Sequence, residues 1–379
     1  MKILIVNTLY HPYKVGGAEV SVQLLAEGLV AQGNNVRVVS LHDKETKKMD
    51  IVNGIEVSYL PLFNKYWPYS NYMPTKIEKM IWHLVDTYNI VMAKRVEEEI
   101  LQFQPDVVHT NNLAGFSVAV WDIVKKHNIK LVHTSRDYYL FHPNCTLFKK
   151  DKIQNPASLE VKLYSLVKKL CSRNVDYYVG ISDFIKNIHL ENGFFNKEKS
   201  NYIYNSINFI KKNNYSTGKK KIGFIGRLTK DKGFDEFCEL AEKYKHEYDF
   251  IAAGKFPVGQ EGEKLRQLAI NANIHLLGFV KIENFINHVD AVCLPAKWNE
   301  PFGRVVVECA SAGVAVYTNK KGGISELFKY FNNIKEFKND CSFGVSIMNN
   351  KDSELQYDKF SPNAIAKQYT DLFFKILEC

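Results

Sequence analysis

The 379-residue chain holds seven cysteines, an odd number at irregular spacing with no Cys-x-x-Cys pair. That excludes a small disulfide-stapled scaffold and a zinc ribbon, and it suits buried free thiols in a reducing cytosol. No run approaches the ~18 consecutive apolar residues of a membrane-spanning helix. The opening MKILIVNTLYHP has one lysine and four consecutive apolar residues, too few for the apolar core of a signal peptide, and reads as a first β-strand. Gly-x-Gly-x-x-Gly is absent, which weakens a dinucleotide oxidoreductase, and so is Gly-x-x-x-x-Gly-Lys-Ser/Thr, which disfavours a P-loop NTPase. Asp-x-Asp is missing, as are low-complexity stretches and short-period repeats. No RNP-like or helix-turn-helix signal speaks for nucleic acid.

What is present is a globular composition. Hydrophobic residues make up 46% and aromatics 13%, enough for real cores, and the length suits two domains or three. The net charge is +9, with 50 basic against 41 acidic residues. It splits evenly between halves but unevenly in detail: residues 149–173 carry seven basic and two acidic residues, and residues 211–221 carry five lysines and no acid. Each window is +5, so the rest of the chain is close to neutral. The first window includes an amphipathic basic stretch at 158–173, and Tyr66, Trp67, Tyr69, Tyr72 and Trp82 cluster ahead of it. These features suit either a core with solvated lysines or an interfacial surface on an anionic membrane.

Short apolar runs alternate with longer amphipathic ones. Strands are expected at 3–6, 36–41, 55–60, 106–109, 131–134, 175–179 and 202–204. Helices are expected at 18–32, 76–102, 115–127 and 158–172. The pattern restarts with strands at 221–225, 249–253, 275–277, 291–294 and 314–317 and helices at 233–245, 260–272, 282–288, 304–312 and 363–377. Repeated βα alternation means parallel sheets covered on both faces, and two series mean two doubly wound domains. The polar, acid-free stretch 208–221 is the linker candidate.

Ligands of open α/β sheets bind at the carboxyl ends of strands, which raises the interest of three motifs. Gly16-Gly17-Ala18-Glu19 lies between a strand and a helix, where backbone can approach a ligand and the helix N-terminus favours anions, although a plain connecting loop would read the same. Gly226-Arg227 with Lys232-Gly233 sets two cations beside a helix start, an arrangement suited to a diphosphate. Glu300-Pro301-Phe302-Gly303, followed by Glu308, offers a loop carboxylate for sugar hydroxyls and a helix carboxylate for a ribose diol. The neighbours of Glu308 are apolar, and a carboxylate so placed needs a partner.

In this order the motifs resemble the retaining glycosyltransferases of family 4 (glycosyl transferases group 1). Tyr204-Asn205-Ser206 resembles the family's Asn-Gly turn with Ser for Gly, Gly254 and Gly278 resemble its strand-end glycines, and Gly322-Gly323 with Glu326 its late turn. The resemblance implies α/β GT-B architecture: two Rossmann-like doubly wound parallel-sheet domains facing each other across a cleft. Residues 1–207, with a C-terminal helix from 363–379 crossing back, would form the acceptor-binding domain, and 208–362 the donor-binding domain. Arg227 and Lys232 would bind the donor diphosphate, Glu300 the transferred sugar and Glu308 the ribose. Phe302 and Gly303 would approach through backbone, with Gly226 and Gly254 beside the donor and Gly16 and Gly17 closing over the diphosphate. Glu19, His109, Asn111, Arg136, Asp137 and Ser182 are the tentative acceptor or sugar contacts.

One departure is visible. Where many members carry a His after a first-domain strand, this chain has Arg136, which donates no proton at physiological pH. His133, three residues earlier, falls inside the expected strand and reads as a core residue. His109 with Asn111 could equally be turn chemistry.

The function implied is retaining, metal-independent transfer of a hexose from a nucleotide-diphosphate sugar, such as a UDP-sugar, to a hydroxyl acceptor, with the donor base and sugar left open by the sequence. The acceptor would be a glycan or lipid-linked glycan of cell-surface polysaccharide, lipopolysaccharide or glycolipid synthesis. The alternatives are a non-hydrolysing nucleotide-sugar epimerase of the same fold and a catalytically idle partner protein. No cofactor, metal or nucleic acid is expected, and the site of action is the cytoplasm, with peripheral contact to the inner face of the membrane.

Overall fold

A computed structural model describes residues 1–13, 16–70, 72–213, 218–338 and 357–378. Elements run in chain order as β1 (Lys2–Val6), α1 (Gly17–Ala31), β2 (Asn35–His42), β3 (Lys48–Val52), β4 (Ile55–Pro61), α2 (Lys76–Thr87), α3 (Ile90–Phe103), β5 (Val107–Thr110), α4 (Ala119–Lys126), β6 (Lys130–Ser135), β7 (Phe148–Lys149), β8 (Lys152–Ile153), α5 (Leu159–Cys171), β9 (Tyr177–Gly180), α6 (Asp183–Glu191) and β10 (Ser200–Tyr202). They continue as β11 (Lys221–Ile225), α7 (Phe234–Tyr244), β12 (Asp249–Ala253), α8 (Gln260–Asn271), β13 (His275–Gly278), α9 (Ile282–Ile286), β14 (Ala291–Leu294), α10 (Arg304–Ser311), β15 (Ala315–Thr318), β16 (Ile334–Glu336) and α11 (Pro362–Leu377).

The chain divides into two compact units. The first comprises Met1–Leu147, Gln154–Ser206 and Pro362–Cys379, and the second Phe148–Ile153 and Ile207–Ser361. The short β7–β8 hairpin therefore belongs to the second unit.

The first unit is built on an eight-stranded sheet in the order β10-β9-β6-β5-β1-β2-β4-β3. All neighbours pair in parallel except β3, which runs antiparallel to β4 at the edge. Ile3, Leu4, Ile5 and Val6 are wholly buried, as a strand covered on both faces requires. The order reverses at β1, which lies between β5 and β2. The loops after β1 and β5 therefore leave the sheet side by side, stitched by Thr8 N–H to Asn112 O (2.9 Å) and Asn112 N–H to Asn7 Oδ1 (3.1 Å). Helix α11 packs on α1, where Gly28 leaves the space: a Cβ there would lie 2.8 Å from the Ala366 Cβ.

The second unit is a six-stranded, all-parallel sheet in the order β13-β12-β11-β14-β15-β16, the 3-2-1-4-5-6 order of a dinucleotide-type fold. Its reversal lies between β11 and β14. Phe224, Phe234 and Phe237 pack together beneath α7 with ring centroids 5.1–6.1 Å apart.

Two expectations are corrected. The helix expected over 76–102 is two helices, because Tyr88 turns out of helical geometry and Asn89 starts α3 afresh, its side chain accepting from Met92 N–H at 3.1 Å. The helix expected from 115 begins at Ala119; Gly115 has φ +90° and Ser117 φ +70°, values that a right-handed helix does not admit.

Candidate active site

In the second unit the loops after β11 and β14 flank the strand-order reversal, where a doubly wound sheet opens its ligand crevice. The turn Gly226–Gly233 connects β11 to α7. Gly233 has φ +77°, and a Cβ on it would lie 2.0 Å from the Pro295 carbonyl, so only glycine lets this turn close on the loop after β14. Lys297 N–H reaches the Asp231 carbonyl at 2.9 Å, joining the same two loops.

Four charged side chains occupy this junction. Lys232 Nζ lies 2.5 Å from Glu300 Oε2 and 4.7 Å from the centroid of the Trp298 ring. Arg227, largely exposed, pairs with Asp231 at 3.0 Å. Next to them, Lys297 bonds Asp235 at 2.7 Å, in the acidic first turn of α7. The loop carrying Glu300 is held from behind: Gly323 N–H donates to the Glu300 carbonyl at 2.8 Å, and a Cβ on Gly322 would come within 2.5 Å of that oxygen.

Phe302 is buried, and Gly303, at φ +90°, opens α10. On that helix Glu308 is nearly enclosed and ion-paired with Arg304 one turn earlier, at 2.7 Å. Burial pushes the Glu308 carboxyl above its ordinary range, and the Arg304 guanidinium counters that.

A cavity of about 670 Å³ opens at the carboxyl ends of β11, β12 and β13. Gly254 borders it, with backbone so close to Gly226 that a Cβ would lie 1.7 Å from the Gly226 carbonyl oxygen. Gly278 lines it as well, and so do Leu228, Lys255, Phe256, Arg266 and Phe279, which no sequence motif marked. Arg266 lies over the Phe256 ring at 4.6 Å and Lys255 near Phe279 at 5.7 Å. Their only sequence signal was position, since Lys255 and Phe279 each follow a strand-end glycine. Among the described residues no group of three or more His, Cys, Asp or Glu side chains could hold a metal ion.

In the first unit the named residues fall into two sets. Gly16 and Gly17 begin α1, and Gly16 N–H donates to Glu19 Oε2 at 2.8 Å, so the buried Glu19 carboxylate caps the start of its own helix. The rest lie in β5 (His109) or follow β5, β6 and β9. Arg136 is buried; its Nε donates to Asn111 Oδ1 at 2.9 Å and its Nη1 to Asn205 Oδ1. Asp137 accepts from Tyr139 N–H at 2.8 Å, and burial raises its carboxyl to about 6. Ser182 caps α6 through Ile185 N–H at 3.1 Å. His109 has no exposed surface: Nε2 meets Thr134 Oγ1 at 2.8 Å and the ring packs 5.0 Å from Tyr369 of α11. Burial, with Arg136 nearby, keeps it neutral by pulling its pKa well below the usual value. Any influence of His109 on a ligand therefore runs through its neighbours. His133 is likewise buried within β6, its Nδ1 3.0 Å from Thr110 Oγ1.

Known proteins match this arrangement. Residues 15–209 match the model of Glycosyltransferase Family 4, and residues 205–366 that of Glycosyl transferases group 1. An uncharacterised 42.6 kDa protein in the cps region of Klebsiella pneumoniae is 49% identical over 339 residues, 88% of this chain and 89% of that one. Sucrose-phosphate synthase from Thermosynechococcus elongatus superposes with a TM-score of 0.77 at 15% identity, covering 100% of this chain and 99% of that one. HepE of Anabaena, solved in complex with UDP and glucose, gives 0.70 at 16% identity, with 99% and 100% covered. Both solved neighbours share the two-sheet α/β fold.

Proposed function

The chain belongs to glycosyltransferase family 4, and from that premise we propose that it transfers a sugar, with retention of configuration, from a nucleotide-diphosphate sugar to a hydroxyl acceptor. The observation that carries this reading is the Lys232–Glu300 contact beside Arg227 at the strand-order reversal of the second sheet. Transfer breaks the bond between the anomeric carbon and the diphosphate and forms a bond from that carbon to the acceptor oxygen, on the same face. The leaving diphosphate gains charge. Two cations fixed beside it stabilise the transition state more than the ground state, and no metal ion need be invoked. The acceptor proton passes to the departing phosphate oxygen, so no protein base is required.

Glu300 accepts hydrogen bonds from the transferred sugar. Glu308, oriented by Arg304, takes the ribose diol. The cavity between Gly254 and Phe279 receives the base, with Arg266 and Phe256 along its wall. HepE was solved with UDP, which favours uridine there. In the first unit the Arg136 guanidinium, aimed by Asn111 and Asn205, substitutes a fixed cation for the missing histidine, and Asp137 lies next to it. These groups, with Glu19 and the Gly16–Gly17 turn, are the proposed acceptor and diphosphate contacts of that unit.

The acceptor is proposed to be a cell-surface glycan, free or lipid-linked, made in the cytoplasm; support comes from the Klebsiella relative encoded in a cps region. A panel of nucleotide sugars screened by thermal shift tests the reading. A UDP-sugar that raises the melting point supports it, because a ligand bound only by the folded chain stabilises it. No shift with any donor would sink it, and epimerised donor in the absence of acceptor would transfer the case to the epimerase.

A further inference from the structure

Helices α2 and α5 lie side by side in the first unit with their faces reversed. A surface helix ordinarily turns its apolar stripe to the core. Here α2 buries Trp82 and Asp86 and exposes Ile77, Met80, Ile81 and Leu84; Ile77 and Leu84 are each 66% exposed. Helix α5 buries Val161, Ser165 and Lys168 and exposes Leu159, Leu163, Leu166 and Leu170, with Leu163 68% exposed. Both outward sets follow helical spacing, so each forms a continuous ridge.

The reversal is fixed from inside. Lys168 Nζ donates to the Tyr139 carbonyl at 2.7 Å and sits 3.7 Å from that ring's centroid. Tyr139 Oη donates to the Asp86 carbonyl at 3.1 Å, and the Asp86 carboxylate accepts from Gly115 N–H at 2.5 Å. Turning either helix over would break these bonds and leave the Tyr139 carbonyl or the Gly115 amide without them inside the unit, a cost that opposes burial of the leucines. The ridges are therefore presented rather than misplaced.

Their surroundings identify the occupant. Lys76 and Lys79 on α2, Lys162 and Lys169 on α5, and Arg173 just beyond it are exposed, against the acids Glu160 and the partly exposed Glu78. Tyr72 and Tyr164 are partly exposed around them, amphipathic rings of the kind that settle at headgroup depth. We propose that this face docks on the surface of an anionic lipid bilayer, the leucine and isoleucine ridges entering the headgroup boundary and the lysines meeting lipid phosphates. No helix of the described residues is long and apolar enough to cross a membrane. The surface is independent of the donor site.

The test is flotation of the full chain with vesicles of phosphatidylethanolamine and phosphatidylglycerol, and with phosphatidylcholine vesicles, at low and high salt. Binding to the anionic vesicles at low salt is expected, weakened by salt, and reduced about tenfold or more in Leu163→Ser/Leu166→Ser. Lys162→Glu/Lys169→Glu should lose the anionic preference, and serves as the second variant should the first misfold. The donor-induced thermal shift should be the same in all of them, so failure here is distinguishable from failure of the glycosyl-transfer reading. The proposal is overturned if the wild-type chain does not float, if both variants float as well as it does, or if light scattering shows a dimer that Leu163→Ser/Leu166→Ser dissolves while vesicles are ignored.

Discussion

The ammonium of Lys232 is 2.5 Å from the carboxylate of Glu300, although 68 positions separate them in sequence. The first follows β11 and the second follows β14, so the contact exists only because those strands are neighbours in the sheet. Each group fixes the other: Trp298 supports the lysine from the ring side, and the Gly322–Gly323 turn holds the backbone of Glu300. A cation and an acceptor for hydroxyls are thereby placed within one sugar-phosphate length.

Lys232→Ala and Arg227→Ala should each lower turnover by ~10²–10³-fold, as the removal of one electrostatic stabiliser does. The melting point of Arg227→Ala should change little, because Arg227 is more than half exposed and such pairs contribute at most about 1 kcal/mol; Lys232→Ala should lower it as well, because it leaves the mostly buried Glu300 carboxylate unpaired. Steady-state kinetics with the donor identified by thermal shift checks this, and turnover near normal in both variants would contradict it.

Arg266→Ala is expected to raise the donor KM several-fold while kcat stays close to wild type. Its position on the cavity wall gives it ground-state binding to the base rather than a part in bond breaking. An equal fall in kcat with no change in KM would show that the base does not lie there.

Gly233→Ala should destabilise the second unit by ~2 kcal/mol or more. The new Cβ meets Pro295 O at 2.0 Å and the φ of +77° adds strain. Differential scanning calorimetry should show the loss, together with weakened donor binding, since the turn also carries Lys232.

Asp86 gives a pH signature. Burial, only partly offset by Lys168 and the Gly115 amide, raises its carboxyl from 3.8 to about 6. The folded chain then binds more protons than the unfolded chain between about 4 and 6. Its contribution is present in full below the unfolded pKa and is lost as pH rises through the folded one. Asp137, raised to about 6 by burial, acts with the same sign. Denaturant melts across that window should show stability from these groups declining with rising pH, and Asp86→Asn should flatten the decline.

The doubly wound architecture was legible because buried parallel strands are short apolar runs, and runs such as Lys221–Ile225, Asp249–Ala253 and Ala291–Leu294 coincide with β11, β12 and β14. The β7–β8 hairpin and β16 had no such run: each is two or three residues long, and Lys149, Lys152, Lys335 and Glu336 give no apolar signal. The break between α2 and α3 was hidden because the apolar period continues through Tyr88 while the cap at Asn89 is a local hydrogen bond. Charged motifs could be found from glycine and cation spacing. The Arg227–Asp231 pair and the Trp298 support needed the fold, and so did the orientation of α2 and α5. Their apolar residues were seen in sequence, but only the buried Asp86 and Lys168 show which face turns outward.

Retention of configuration at the transferred carbon can be measured with no knowledge of the acceptor. The chain is incubated with a UDP-α-sugar, and proton NMR follows the slow release of sugar to water. The α-anomer should appear first, before mutarotation, and should not appear at that rate with Lys232→Ala. First appearance of the β-anomer would show inversion and contradict retaining transfer.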